Sequence, residues 1–345
     1  MIYIYVKGYN YKKSNGVAVI VDNILKYCSA MNIAIRYVGS LENISHAETI
    51  IPYGPKESKE LINAGYDTVC CLLVDAISLG YLNKIKHYLN VGHFFHKDFL
   101  YSIYAFLRYF FYEKQIVKKY KNIVLVSQAD IDYLQGEKDK KKFICLRNGL
   151  NVPKIVSEKT KSDLFRIGIL SAWDSFQSNE ENRWFLKKYV PKYIRNHPNV
   201  EFVLAGRGAK IQEYVSIPGV KVVGEVESLD TFFSNIDILL SPNPKGCGIL
   251  NRVLDAIAYK TPVIGHTGSF SGFKGMEKGF LTFNDYNSFC ETVEKIKNKN
   301  LQKALVFEAC KFAQEYLNWE KNYIEFINQY IKPLVSLGNN SSHSS

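Results

Sequence analysis

Short apolar runs alternate with longer runs of helical spacing along this chain of 345 residues, and the series occurs twice. Such alternation is typical of parallel sheets whose strands are joined by helices. One series occupies the first 150 residues, and a second starts at residue 165, after a polar segment that contains a proline. A chain of this length can form two cores. The pattern therefore predicts an α/β fold of two doubly wound halves with a cleft between them.

The element boundaries follow from the same pattern. The first half is predicted to contain the strands 2–6, 33–38, 68–74, 122–127 and 143–146 and the helices 17–31, 56–64, 98–120 and 128–135. The second half is predicted to contain the strands 165–170, 200–205, 220–223, 237–240, 262–264 and 279–282 and the helices 179–195, 208–215, 228–235, 249–259, 286–298 and 301–330. The predicted domains are 1–150 and 164–318, joined by a linker at 151–163 and followed by a helical segment at 319–335 and a polar tail at 336–345, which is expected to be disordered.

Charge and cysteine usage narrow the function classes. The net charge of +11 favours nucleic acid, anionic lipid or phosphorylated ligands as partners. Zinc-finger spacing, an RNP-like strand and a basic heptad region are all missing from the sequence, which argues against nucleic acid. The seven cysteines form no CxxC pair, so reduced thiols are expected. The first residues resemble a strand more than a signal peptide, and no run of about 18 apolar residues occurs, so a cytoplasmic location is expected.

The segment from Ser241 to Ile264 carries the most informative pattern. An apolar strand ends at Leu240, and a loop with Gly246 and Gly248 leads into a helix predicted from about Ile249. Glycines let backbone amides approach an anion at a helix N-terminus, where the helix dipole favours phosphate. In the first helical turn, Arg252 can reach the same anion, and Asp255 on the same face can hold a pair of ribose hydroxyls. An ordinary strand–loop–helix connection with a solvated helix face remains the alternative.

Two other glycine loops follow predicted strands. Gly206-Arg207-Gly208 comes after the strand 200–205, and Ser14-Asn15-Gly16 precedes the first helix. Neither is a complete GxGxxG motif, and each alone is also compatible with a plain turn. Together with the loop at Gly248 they predict a phosphate-binding edge at the carboxyl ends of the strands.

Through these and neighbouring motifs, the second half resembles the family-four retaining glycosyltransferases of the GT-B fold. The resemblance rests on Gly168 to Asp174, Val203 to Gly206, Val223-Gly224, Asp237 to Pro242, Gly248 to Val263 and Gly268 to Gly272, in family order, with Asn148-Gly149 and Asn15-Gly16-Val17 in the first half. It implies two Rossmann-like domains facing across a cleft, an acceptor domain at 1–150, a donor domain at 164–318 and a last helix that crosses back to the first domain. The implied donor-binding residues are Asn15, Gly16, Gly206, Arg207, Gly246, Cys247, Gly248, Ile249, Leu250, Arg252 and Asp255.

The chain departs from the family pattern at two places. Family members often carry two glutamates eight positions apart, where this sequence has Cys247 and Asp255. The usual Arg/Lys pair after the first strand of the donor domain is missing from 171–178. A sub-branch with a Gly-Ile-x-Asn-Lys-like loop is more similar, and its basic residue matches Arg252. These departures leave open a non-catalytic protein that binds a sugar nucleotide or a partner, and a sugar-nucleotide epimerase is a further alternative.

The resemblance also implies a reaction. A sugar would move with retention from a nucleotide-sugar donor to a glycan or lipid-linked glycan, in the assembly of lipopolysaccharide, capsule or another surface polysaccharide. The nucleotide sugar is a substrate, and neither a cofactor nor a metal is implied. His93 and His96 are the predicted catalytic residues, because family members often place a histidine on a loop that faces the cleft. Surface histidines beside an aromatic helix are the alternative.

The segment from Phe94 to Tyr120 is rich in aromatic and basic residues. A helix that is apolar nearly all round is typical of a protein core. An interfacial helix on an anionic membrane is the second interpretation, and it agrees with a lipid-linked acceptor at the inner face of the cytoplasmic membrane.

Overall fold

A computed structural model describes residues 1–7, 16–90, 97–136, 140–174 and 176–335, with side chains except at 16, 17, 140 and 176–181. The chain divides into two compact units. The first unit comprises Met1–Gly149, Cys247–Ile249 and Tyr316–Ser345, and the second comprises Leu150–Gly246 and Leu250–Glu315. The three residues Cys247–Ile249 thus belong to the first unit although their neighbours in sequence belong to the second.

The elements alternate along the chain as the sequence predicts. The strands are β1 Ile2–Tyr5, β2 Ile35–Val38, β3 Thr49–Pro52, β4 Cys70–Val74, β5 Asn122–Leu125, β6 Phe143–Cys145, β7 Phe165–Leu170, β8 Val200–Ala205, β9 Val220–Gly224, β10 Ile238–Ser241, β11 Val263–His266 and β12 Phe280–Phe283. The helices are α1 Gly16–Ala30, α2 Pro55–Asn63, α3 Ile77–Asn90, α4 Lys97–Lys119, α5 Gln128–Gln135, α6 Phe176–Lys188, α7 Val190–Asn196, α8 Leu229–Ser234, α9 Asn251–Ala258, α10 Tyr286–Ile296, α11 Lys299–Tyr316 and α12 Trp319–Phe326. The predicted α/β fold with parallel sheets is confirmed.

Parallel strands form the centre of the first unit. Their order is β2-β1-β3 in one sheet and β4-β5-β6 in another. A parallel bridge from Tyr53 to Leu72 continues the series from β3 to β4. The core beneath the strands contains Ile4, Val21 and Val124, and α12 contributes Tyr323 and Phe326 to it.

The structure corrects two omissions in the first half. Strand β3 was not predicted, because it is four residues long and ends on a proline, which is a poor strand residue. Helix α3 was also missed. Its buried face includes Ser78, Gly80, Lys84 and His87, so polar residues hide the apolar period of the helix.

The second unit contains one six-stranded parallel sheet of order β12-β11-β10-β7-β8-β9. This is the doubly wound arrangement in which the series reverses between β7 and β10. Aromatic side chains dominate its core, and Trp173, Phe185, Tyr193, Phe202 and Phe289 are fully buried.

Four helix predictions in the chain were too long or of the wrong type. The predicted helix 301–330 is two helices, because the chain leaves α11 at Tyr316 and Asn318 caps α12 through the Lys321 amide. The predicted helix 179–195 divides into α6 and α7 next to Pro191, which lies in the first turn of α7. The predicted helix 208–215 is a 3₁₀ segment at Ala209–Tyr214, and the helix predicted from Ile249 begins at Asn251.

Helix α4 is buried on one side only, through Ser102, Ala105, Glu113 and Ile116. The interpretation of this segment as a helix surrounded by core is therefore wrong. Within the described parts of the chain, none of the helices has the length and apolar character that crossing a membrane requires. All seven cysteines lie in described ranges and are reduced, as expected.

Candidate functional site

The point at which the strand order reverses lies at the carboxyl ends of β7 and β10 in the second unit. Strand β7 pairs with β10 on one side and with β8 on the other. Ligands of open parallel sheets bind beyond the carboxyl ends of the strands at such a reversal. The residues there are Ser171, directly after β7, and Ser241, the last residue of β10.

Both serines are buried, and neither hydroxyl oxygen has a hydrogen-bond partner within the described residues. A buried polar group without a partner costs about 1–3 kcal/mol. Such groups in native proteins usually mark bound water, an ion or a ligand. These two serines were not predicted as site residues. Each follows the last apolar residue of a predicted strand, which is the signal that could have identified them.

Arg252 brings positive charge to the same end of the sheet. It lies in the first turn of α9, and its Nη1 donates to the Leu170 carbonyl oxygen at 3.4 Å. The guanidinium therefore lies where β7 ends, beside the start of the segment 171–178, which lacks the Arg/Lys pair expected from the resemblance. Since the amino end of a helix also favours anions, charge and helix dipole act in the same direction.

Asp255 lies one turn further along the same face of α9. Its carboxylate is half-buried and forms no hydrogen bond or ion pair with any residue that the structure describes. Burial raises the pKa of Asp255 from 3.8 to about 6. An acceptor group held partly out of water without a partner can bind a pair of hydroxyl donors, because these supply the missing hydrogen bonds.

A short turn after β11 supports the loop that follows β10. Ser269 donates its hydroxyl to the Ser241 carbonyl oxygen at 2.6 Å, and its oxygen accepts the Asn243 amide at 3.1 Å. His266 Nδ1 accepts the Gly268 amide at 3.1 Å, and burial lowers the pKa of His266 to about 4. This imidazole is therefore neutral at pH 7 and serves as an acceptor.

The comparisons with known proteins agree with this geometry. Residues 166–299 match the family model described as glycosyl transferases group 1. The second unit carries a group 1 glycosyltransferase domain. Comparison with curated protein sequences found no match.

Solved structures extend the likeness to the whole fold. HepE of Anabaena, solved with UDP and glucose, superposes with a TM-score of 0.60 at 13% identity, over 95% of this chain and 98% of that protein. WaaG, a glycosyltransferase involved in lipopolysaccharide biosynthesis, superposes with a TM-score of 0.60 at 13% identity, over 94% of this chain and 98% of that protein. TarM superposes with a TM-score of 0.58 at 12% identity over 84% of this chain. This chain spans only 56% of the length of that protein. The GT-B fold is thus confirmed, and the glycosyltransferase family model accounts for the domain at residues 166–299. Glycosyl transfer by the whole protein, family-four membership and retention stay predictions.

The residues of the predicted donor loop, Gly246–Leu250, are divided between the two units. Gly246 and Leu250 belong to the second unit, and Leu250 is the N-cap residue of α9. Cys247, Gly248 and Ile249 belong to the first unit, where Ile249 packs on the core. The Gly248 amide donates to Asp130 Oδ2 at 2.9 Å. The role of this loop in donor binding stays a prediction, and nothing in the residue pattern indicates its contact with Asp130.

The remaining predicted site residues lie in different parts of the chain, and some of them lie outside the described residues. Gly206 packs against Ser171. The side chain of Arg207 is exposed, and its backbone carbonyl oxygen accepts the Trp173 amide at 2.9 Å. Their donor contacts stay predictions. Gly16 is the first residue of α1. Asn15, His93 and His96 lie outside the described residues.

Proposed function

We propose that this protein transfers a sugar, with retention, from a nucleotide-sugar donor to a glycan or lipid-linked glycan acceptor in surface polysaccharide biosynthesis. The observation that carries the proposal is Arg252 at the carboxyl end of β7, beside the buried hydroxyls of Ser171 and Ser241, in a group 1 glycosyltransferase domain. HepE with UDP and glucose supports a nucleotide-sugar donor. WaaG, with its part in lipopolysaccharide biosynthesis, supports a surface glycan.

Each described group has a part in the proposed reaction. The anomeric carbon loses its bond to the donor diphosphate and gains a bond to the acceptor oxygen on the same face, and the acceptor proton passes to the leaving phosphate. Negative charge on that phosphate is stabilised by the Arg252 guanidinium and the amino end of α9. Asp255 accepts the two ribose hydroxyls. The proposal needs neither a metal ion nor a cofactor.

Arg252→Ala tests the donor site. We expect the affinity for the nucleotide to fall about 10- to 100-fold, because hydrogen bonds to a charged group contribute about 1.5–3 kcal/mol. Thermal shift of the wild type with UDP, GDP, ADP and CMP identifies the base, and calorimetry then measures the dissociation constant for both proteins. At about one hundred times its dissociation constant a ligand adds ~2.7 kcal/mol of stability.

The matched control is Arg195→Ala, which removes an exposed arginine of α7 in the same unit. It should bind nucleotide as the wild type does. Equal affinities of the Arg252 and wild-type proteins would remove Arg252 from the site. Nucleotide binding without turnover of any sugar conjugate would favour the non-catalytic alternative.

An anionic membrane is the second proposed partner, and α4 is its binding surface. Leu100, Tyr104 and Phe111 share one face of α4 and are 62%, 59% and 60% exposed, and Tyr101 and Leu107 beside them are exposed as well. Aromatic and leucine side chains in such a stripe insert at the headgroup boundary of a bilayer.

Basic residues accompany this stripe. The exposed residues of α4 include Lys97, Arg108, Lys114 and Lys118. None of the acidic side chains of this helix is exposed. Each basic residue near an anionic surface adds about 1 kcal/mol of attraction. A lipid bearing negative charge is thus the occupant that fits both the apolar stripe and its charge.

Replacing Leu100, Tyr104 and Phe111 with serine should abolish binding to vesicles that contain phosphatidylglycerol, because each side chain loses its apolar burial. Co-sedimentation at low and high salt measures this, and high salt should weaken wild-type binding by screening the charges. Phe307→Ser is the control, since Phe307 is 67% exposed on α11. Wild-type protein that stays in solution with these vesicles would contradict the proposal.

A further inference from the structure

A strained turn ends strand β4 in the first unit. Val74 has a φ of 71°, and the Asp75 amide donates to the Leu73 carbonyl oxygen at 2.9 Å, which closes a turn of three residues. A β-branched residue rarely adopts this conformation, which costs on the order of 1–3 kcal/mol. Strain of this kind persists where the surroundings hold the backbone firmly, often at functional sites. The contacts of the next residues show what holds it.

Asp130 holds two separate segments of backbone with one carboxyl group. It is fully buried at the start of α5. Its Oδ1 accepts the Ala76 amide at 3.2 Å, directly after the strained turn. Its Oδ2 accepts the Gly248 amide at 2.9 Å, and the Ser127 hydroxyl donates to the same oxygen at 2.5 Å. All these residues belong to the first unit.

The segment at Gly248 also fits closely against Asp75. Gly248 has a φ of 66°, and a Cβ on this residue would lie 2.2 Å from Asp75 Oδ1. A side chain at this position is thus excluded both by the backbone conformation and by the Asp75 carboxyl group. The loop conformation depends on glycine at this position and on the acceptor that Asp130 supplies.

Helix α5 itself does not require the Asp130 carboxyl. Its first turn is capped by Ser127, whose hydroxyl oxygen accepts the Asp130 amide at 3.1 Å. An N-cap of this kind already satisfies an amide of the first turn. The carboxyl group of Asp130 is therefore available to bind the Ala76 and Gly248 amides.

Other acidic groups surround this carboxyl. Burial and then the charge of Asp75 raise the pKa of Asp130 to about 7, although its hydrogen bonds act in the opposite direction. Glu113 also faces the cluster, and burial raises its pKa to about 7 as well. The Cys145 thiol lies near the same charges. A carboxylate accepts amide hydrogen bonds more strongly than a neutral acid does, so the two bonds of Asp130 are strengthened as the pH rises and this carboxyl ionises.

We propose that Asp130 is a positioning residue of the donor site: it fixes the Gly248 peptide and, through it, the loop Gly246–Leu250 that leads into α9 and Arg252. The inference rests on the proposed function, since it concerns the same loop. Asp130 contacts no substrate in this scheme. It acts through the backbone of a loop whose neighbours bind the donor.

Asp130→Asn tests this at pH 8. Asparagine keeps the size of the side chain but has one acceptor oxygen, so its amide group opposes either the Ala76 or the Gly248 N–H. We expect hydrogen exchange at Gly248 in the ligand-free protein to become at least about tenfold faster, and the dissociation constant for UDP to rise about tenfold. With a nucleotide-sugar donor, KM should rise more than kcat falls.

Asp132→Asn is the matched control, because Asp132 is an exposed carboxylate of the same helix, bonded to Gln128. It should leave the Gly248 exchange rate and UDP binding unchanged. Unchanged exchange in the Asp130 variant, or faster exchange with unaltered or tighter UDP binding, overturns the inference. If the wild type binds no nucleotide, the proposed function fails and the donor role of Asp130 fails with it. The exchange rates then still show whether Asp130 holds the loop.

Discussion

Gly206→Ala should lower the free energy of unfolding of the second unit by about 4 kcal/mol, through backbone strain and overpacking together. Gly206 follows β8 with a φ of 118°, a conformation that residues with a side chain rarely adopt. A Cβ on it would lie 1.9 Å from the Ser171 carbonyl oxygen. That oxygen belongs to the backbone, so it cannot rotate away as the end of a flexible side chain does.

Main-chain hydrogen bonds prevent the two segments from separating. The Gly206 amide donates to Gly224 at 2.8 Å, and the Ser171 amide donates to Ala205 at 3.1 Å. Relief of the clash would break one of these bonds at the edge of the sheet where Ser171 lies. We therefore expect nucleotide binding to be lost along with stability. This packing also explains why a glycine follows β8 without requiring contact between Gly206 and the donor.

Gly224→Ala is the control that imposes backbone strain without a steric clash. Gly224 has a φ of 80°, but a Cβ there would meet no atom within 4 Å. Only the conformational cost of about 1–2 kcal/mol should appear. Urea unfolding followed by circular dichroism measures both variants. A Gly206 variant no less stable than the Gly224 variant would show that the backbone around Ser171 yields more readily than the hydrogen bonds suggest.

The group 1 domain was the part of the fold most accessible to sequence analysis. Its strands are predominantly apolar runs, with a single charged residue in each of β7, β8 and β9, since a parallel sheet buried on both faces needs no regular polar alternation. Arg252 and Asp255 were identifiable because a spacing of three places side chains on one face of a helix, whatever the tertiary contacts are. The break before α12 also had a local signal in Asn318, a strong N-cap residue, but the helical spacing of apolar residues on both sides of it favoured a single helix.

The contacts of Asp130 could not be predicted from the sequence. Its partners Ala76 and Gly248 lie 54 and 118 residues away along the chain, and they contribute backbone amides that every residue except proline possesses. No residue type marks such a contact. The strained turn at Val74 is hidden for a related reason, because valine is a favourable strand residue and the sequence carries no sign of a positive φ there.

Asp255→Asn should make the protein more stable at pH 8, by up to about 3 kcal/mol, which is the free energy of a pKa shift of about 2 units. Burial without a partner raises the pKa of Asp255 to about 6, against 3.8 for an ordinary aspartate. The folded state therefore binds this proton more tightly than the unfolded state does. As the pH rises from 3.8 to about 6, the unfolded chain loses its proton first and folding becomes less favourable. Above about pH 6 the full penalty applies.

The asparagine variant lacks this penalty, so its advantage should be present at pH 8 and vanish near pH 4. Thermal unfolding across this range measures it, and a gain of ~3 kcal/mol corresponds to roughly 6–12 °C in Tm for a unit of this size. Asp285→Asn is an instructive contrast. Asp285 is exposed and caps α10 through the Ser288 amide, and its backbone hydrogen bonds lower its pKa, so this variant should lose stability at pH 8.

A stabilising substitution at Asp255 would indicate that the ionised carboxylate is retained for binding, because functional groups are commonly held at the expense of stability. UDP should therefore bind the Asp255→Asn protein about tenfold more weakly, as expected for lost hydrogen bonds to a charged acceptor. A UDP analogue without ribose hydroxyls decides whether those bonds are the cause. It should bind the wild type and the variant equally, since neither protein can then form them. If the analogue distinguishes the two proteins as strongly as UDP does, Asp255 does not hold the ribose, and its unpartnered carboxylate serves another part of the ligand.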